Sequence, residues 1–350
     1  MESQNGGVAS ISSSGDVVIS KCTMHGNTAA EYGGVANISY SGDVSISECT
    51  MTENTASRGG VAYISDSDHV VISECTMTEN TASYGGVAYI SDSGDVSISE
   101  CNMTGNGASM YGGVADISYS GDVSISECAM TENIASDHGG VARISSSDHV
   151  VISECTMTGN TAAEYGGVAY ISYSGGVSIS ECAMTENTAS YGGVAYISSS
   201  DHVVISECTM TGNTAALSSG GVAYIESSDV LISECTLTGN TASGSSYGGV
   251  AYAGVGSPYM VLTITNSAII DNSATYGGVA YVYPGNTLII TNSTISDNTA
   301  SLHGGVAYID EGSTLIIMNS AIRVFTVKLH AWINVQKRIN DEGDPLGAEE

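Results

Sequence analysis

A right-handed parallel β-helix of about twelve coils, an all-β solenoid, is the fold class this sequence predicts. Three observations carry that reading: a Gly-Gly-Val tripeptide returns at a near-constant interval, apolar positions alternate with a period of two, and the composition is one of strands and turns. Hydrophobic residues make up 42% of the chain, yet it holds one Phe and one Trp, so Val, Ile, Ala, Thr and Tyr carry the apolar content. Only three Pro interrupt it, and no apolar run approaches the ~18 residues of a membrane span. Direct membrane insertion by this chain is therefore not expected. The 37 acidic side chains face only 7 basic ones, and simple repulsion disfavours a nucleic-acid or anionic-membrane partner.

Gly-Gly-Val begins at positions 6, 33, 59, 85, 112, 139, 166, 192, 220, 248, 277 and 304, which gives twelve units spaced 26 to 29 residues apart. No composition shift interrupts them, so residues 1–322 read as one repeat domain. Residues 323–350 change character. Phe325, Leu329 and Trp332 fall at helical spacing, which predicts a short C-terminal cap helix followed by a loose tail. The first lap starts almost at Met1 with no signal-peptide pattern, so an uncapped N-terminal coil, end-to-end self-association through it, and a fragment of a longer protein are expectations.

Within the second unit, Ala36 and Ile38, Val44 and Ile46, and Cys49 and Met51 form three inward pairs separated by turn residues, which predicts three short faces per lap. At ~3.3 Å per residue such a unit has a contour of roughly 90 Å, and twelve laps at ~4.8 Å make a rod roughly 55 to 60 Å long. The twelve laps also permit comparison of one position with itself. The residue after Gly-Gly-Val is Ala in all twelve, and the one two further on is Ile in ten, with Ala253 and Val282 as exceptions. The position between them holds Ser10, Asn37, Tyr63, Asp116 and Arg143 among others, a mixture read as facing solvent.

The pairing of Gly-Gly-Val-Ala with elements such as Met51-Thr52-Glu53-Asn54, Met210-Thr211-Gly212-Asn213 and Ile295-Ser296-Asp297-Asn298 resembles the GGA(I/V)/FxxN repeats of chlamydial polymorphic outer membrane proteins. The resemblance covers residues 1 to about 322, with Met, Leu or Ile where that family has Phe. It implies a β-helical, surface-exposed passenger that acts as an adhesin. A leucine-rich repeat shares the Ile46-x-x-Cys49-x-Met51-x-x-Asn54 spacing, but the Gly-Gly and Ser turns leave no room for its convex helix.

Stacking turns repeated residues into ladders. Asn27, Asn54, Asn80, Asn106, Asn133, Asn160, Asn187, Asn213, Asn240, Asn272 and Asn298 read as an inward stack that satisfies turn backbone. Cys22, Cys49, Cys75, Cys101, Cys128, Cys155, Cys182, Cys208 and Cys235 read as buried thiols acting as small apolar groups. Disulfides between laps are awkward at ~4.8 Å spacing, no CxxC supports zinc, and Ser267, Ser293 and Ser320 take the position over in the last laps. Glu48, Glu74, Glu100, Glu127, Glu154, Glu181, Glu207 and Glu234 form a file of like charges that must face water, with loosely associated Ca²⁺ as the alternative. No other cofactor is expected.

Tyr170, Tyr196, Tyr224, Tyr252, Tyr281 and Tyr308 read as an outward row in six successive laps, either mutually stacked or a contact platform. Outward Thr pairs such as Thr50 with Thr52 and Thr209 with Thr211 resemble the rows of ice-binding solenoids, although Ala129, Ala183, Asn102 and His25 break the array. Parallel β-helices also include pectate lyases and polygalacturonases, but Lys21, Arg58 and Arg143 lie in separated laps, and His69, His149 and His202 share a turn position without being adjacent. No catalytic residues are assigned. The expectation is a non-catalytic, adhesin-like rod, cell-surface or extracellular, that binds a host or matrix protein or a glycan. Sequons at Asn37, Asn102 and Asn292 do not decide the compartment.

Overall fold

Four corners organise each lap, and they share one construction. The computed structural model describes residues 3–254 and 259–323. In the second lap, strands occupy Ala36–Ser39, Val44–Ser47 and Thr50–Thr52. Each is followed by a residue in the left-handed region, Tyr40 (φ 50°), Glu48 (φ 51°) and Glu53 (φ 54°), and the lap closes at Gly59 (φ 64°). The residue after each of the first three points inward: Ser41 is 5% exposed, Cys49 2% and Asn54 0%. At the fourth corner, a Cβ on Gly60 would overlap the carbonyl oxygen of Gly86 in the next lap, so only glycine allows the coils to approach there.

Successive laps pair in parallel without slipping. Ala36 lies against Ala62, Ile46 against Ile72 and Met51 against Met77, and three sheets of twelve strands result. Among the described residues every regular element is a strand. The Ala, Ile, Val and Met side chains of these sheets fill one continuous core, with Ile38, Met51, Ile64 and Met77 at 0% exposure. The predicted cap helix lies beyond Arg323, outside the described residues.

The expectation of three faces is corrected to four. Thr81–Tyr84 begins a nine-stranded sheet that runs to Thr299–His303, and Ser3–Asn5 pairs with Ala29–Tyr32 on the same side. This Thr-Ala-x-Tyr stretch reads as turn because it carries one inward residue between Asn and Gly-Gly. Its strand conformation comes from pairing with the next lap, which is tertiary context overriding local signal.

The corners explain the ladders. The backbone N–H of Asn106 donates to Asn133 Oδ1 at 3.0 Å, and Asn106 Nδ2 donates to the same oxygen at 3.0 Å. Asn133 Nδ2 in turn donates to Met103 O, 2.9 Å, one lap back. The Cys ladder has the same plan: Cys49 N–H donates to Cys75 Sγ at 3.4 Å, while Cys75 Sγ donates to Ser73 O at 3.1 Å. Serine does likewise at the first corner, where Ser67 N–H donates to Ser93 Oγ and Ser93 Oγ to Ser91 O. The thiols are therefore hydrogen-bonding corner groups as well as small apolar ones. Ser267 replaces Cys with identical bonds, accepting from Cys235 N–H at 3.1 Å and donating to Thr265 O at 2.7 Å. All nine cysteines are free thiols.

Two substitutions should separate these roles. Asn133→Leu leaves the two Asn106 donors, backbone N–H and Nδ2, without the oxygen they share, and at ~1 to 3 kcal/mol for each stranded buried group it should cost roughly 2 to 5 kcal/mol. Cys128→Ser preserves donor and acceptor and should change stability by less than about 1.5 kcal/mol. Urea unfolding followed by far-UV circular dichroism measures both, and a comparable loss in the two would refute the corner account.

Candidate functional site

Two columns of aromatic residues flank the Gly-Gly corner. The first lies on the Ala-x-Ile face, where Tyr170, Tyr196, Tyr224, Tyr252, Tyr281 and Tyr308 are register partners in successive laps. The second sits just before Gly-Gly and comprises Tyr32, Arg58, Tyr84, Tyr111, His138, Tyr165, Tyr191, Tyr247, Tyr276 and His303, with Ser219 in the one lap between Tyr191 and Tyr247.

The expectation of an outward Tyr row is corrected here. Tyr196, Tyr252 and Tyr281 are buried at 7–8% exposure, and Tyr170, Tyr224 and Tyr308 are half-buried. Along the column the rings stack face to face with centroids 4.5 to 5.4 Å apart and planes within 13°. The second column closes over their side, with Tyr165 against Tyr196 at 4.8 Å, Tyr191 against Tyr224 at 5.3 Å and Tyr247 against Tyr281 at 4.6 Å, all steeply inclined. Such offset and edge-on pairs are each worth about 0.5 to 1.5 kcal/mol beyond burial. The ring faces of the first column are thus spent on one another, and what the seam offers a partner is edges, hydroxyls and the second column. Tyr196 Oη donates to Glu226 at 2.7 Å and Tyr281 Oη to Asp310 at 2.9 Å. Burial, and then the bond to the carboxylate, raises both phenols; burial pushes Tyr252 up to about 12.

The columns carry a charged defect that sequence reading missed. Asp116 and Arg143 replace Tyr in two adjacent laps and are direct cross-strand partners. Asp116, read as solvent-facing, is 2% exposed and accepts from Arg143 Nη1 at 2.8 Å, because a lone carboxylate could not be buried among rings without a counter-charge. Burial raises the Asp116 carboxyl even so. Arg143 also lies 5.0 Å from the Tyr111 ring centroid. Beside it His138 packs between Tyr111, Tyr165 and Tyr170, with Nδ1 buried 3.3 Å from Asp137 but outside hydrogen-bond geometry. Burial, and then the Arg143 charge, lowers His138 to about 4. Arg58 lies 5.5 to 5.8 Å from the ring centroids of Tyr32, Tyr84 and Tyr89. The available signal was the residue preceding each Gly-Gly, Tyr in seven laps, with Arg58, His138 and His303 among the departures.

The remaining predicted residues stay apart. Glu48, Glu74, Glu100, Glu127, Glu154, Glu181, Glu207 and Glu234 are all exposed, each in the left-handed conformation that starts the Cys corner. Among the described residues no three His, Cys, Asp or Glu side chains converge on a point that could hold a metal ion. The Thr pairs face outward on the third sheet, Thr52 beside Thr78 and Thr209 beside Thr236. His69 and His149 each sit 2.8 Å from an aspartate of the preceding lap, Asp43 and Asp122, on the exposed first turn.

A family model described as right-handed beta helix region matches residues 1–130 and 112–259. No curated protein matches the chain.

His138 gives a pH test with a definite sign. Its folded pKa lies below the ordinary 6.5, so the unfolded chain binds the extra proton, and stability present above pH 6.5 is lost as pH falls toward 4. The slope contributed by one proton is at most ~1.4 kcal/mol per pH unit. His138→Tyr, which restores the column, should flatten the urea midpoint between pH 6.5 and 4 relative to wild type; an unchanged slope would contradict the assignment.

Proposed function

The chain belongs to the right-handed β-helix family, whose model spans residues 1–259 of 350, and within that family we propose that it is a non-catalytic, adhesin-like rod that binds its partner along the aromatic seam. The observation that carries this reading is the continuity of the seam, in which ring contacts run from Tyr84 through His138 to Tyr308 without a break longer than one lap. A Tyr-rich, half-buried strip with hydroxyls at its edge is the composition of a contact surface, large in area and low in entropy to immobilise. Display at the cell surface or secretion is part of the proposal, and its support is the repeat resemblance. So is the partner class, a host or matrix protein or a glycan.

What favours binding over turnover is how the seam's acids are used. Asp116 is held by Arg143, Glu226 by Tyr196 and Asp310 by Tyr281, so these three carboxylates are committed to structural partners. A glycosidase or lyase needs carboxylates or a base free to move protons at a substrate.

The test uses the second column, since replacing the stacked first column would damage the fold. Ser219 already shows that Ser fits the second column. The purified chain should bind members of a glycan and matrix-protein array without depolymerising uronate polymers. Tyr191→Ser with Tyr247→Ser should weaken that binding at least ~10-fold, about 1.4 kcal/mol, with an unchanged far-UV spectrum. Turnover of a uronate polymer, or binding indifferent to the double substitution, would reverse the reading.

A further inference from the structure

Three cationic side chains precede Arg323 in the described laps, and two are matched. Lys21 lies 3.5 Å from Glu48, and Arg143 is bonded to Asp116 at 2.8 Å. Arg58 is different. Its guanidinium lies against the rings of Tyr32, Tyr84 and Tyr89, and among the described residues its side chain makes no hydrogen bond or ion pair. Tyr63 completes the surround, 4.6 Å from Tyr32 and 5.3 Å from Tyr89. Asp116, which feels the Arg58 charge, is already committed to Arg143. On a chain of net charge −30, a half-buried arginine left without an acidic partner is the exception that needs a reason.

We propose that Arg58, with Tyr32, Tyr63, Tyr84 and Tyr89, is a binding site for a sugar that carries a single carboxylate at the end of an otherwise neutral glycan. This rests on the seam being the contact surface and names what one part of it takes. The guanidinium supplies five donors in a planar fork, the geometry that grips a carboxylate in two parallel bonds. The surrounding rings hold the fork in place and give the apolar side of a sugar something to pack on.

The charge of the rod limits the ligand. A polyuronate or sulfated polymer would meet the field of −30 along its length with one cation to offset it, whereas a single carboxylate meets Arg58 and leaves the rest of its glycan neutral. The site therefore selects against polyanions.

Calorimetry and saturation-transfer NMR on the full chain decide the matter, with sialyllactose, lactose and polygalacturonate as probes. Sialyllactose should bind, more weakly as salt rises; lactose should bind at least ~10-fold more weakly, and polygalacturonate no better than lactose. Arg58→Gln should bring sialyllactose down to the lactose level, and Arg58→Lys should fall between, both with wild-type far-UV spectra. Equal binding of sialyllactose and lactose, tighter binding of polygalacturonate, or indifference to Arg58→Gln would each overturn the proposal. Neutral-glycan binding that ignores Arg58→Gln but is lost with Tyr191 and Tyr247 would sink this site and leave the seam standing. Sialyllactose binding lost only with Arg58 would do the reverse.

Discussion

The structure depends on one constraint: every lap must land in register on its neighbour, because the backbone donors at its corners are satisfied only from there. Asn54 N–H finds Asn80 Oδ1 and Cys49 N–H finds Cys75 Sγ, each a lap away. A single lap would strand these groups and bury almost nothing, so it could not offset the entropy of ordering its residues. Register does for this chain what a central core does for a globular domain. A one-residue slip would carry Ile38 and Ile46 to the solvent side and uncouple the ladders at once.

That constraint explains why so much of the fold was legible. A period of two placed Ala36, Ile38, Val44, Ile46 and Met51 inside, and all are 0–1% exposed. The Asn ladder was read correctly as inward because a polar residue repeated at a fixed place beside Gly-Gly has few other uses. What could not be read was anything that depends on two faces meeting. Alternation says that Tyr196 points away from the core, but not that Tyr165, on the face across the Gly-Gly corner, lies 4.8 Å from it and helps to cover it. The same blindness hid Asp116. A position that holds Asn37, Tyr63 and Arg143 in other laps looks tolerant and hence wet, yet its burial differs from lap to lap with what stands in the neighbouring column.

The thiols were half legible for a related reason. Sequence alone shows that Cys and Ser exchange at one position, which excludes a strict metal or disulfide framework. It does not show that both atoms perform the same pair of bonds, accepting from Cys235 N–H in the case of Ser267 and from Cys49 N–H in the case of Cys75. The exchange is informative only once the corner is seen.

Repetition also tells where specificity can reside. Most residues of a lap serve the lattice, and twelve copies of one residue cannot single out a place on the rod. The departures can, and along the seam the charged and imidazole ones Arg58, Asp116, His138 and Arg143 interrupt the tyrosine columns within the second to sixth laps. Two of them neutralise each other and one is held uncharged by burial, so the charge pattern of the stretch reduces to Arg58 among tyrosines. Elsewhere the surface is dominated by exposed carboxylates, including the eight glutamates of the Cys corner, which repel anions and leave a neutral partner without charged anchors. On the proposed reading, recognition by this rod comes from apolar and hydroxyl contact along the seam, with position fixed by Arg58, which among the described residues has no acidic partner.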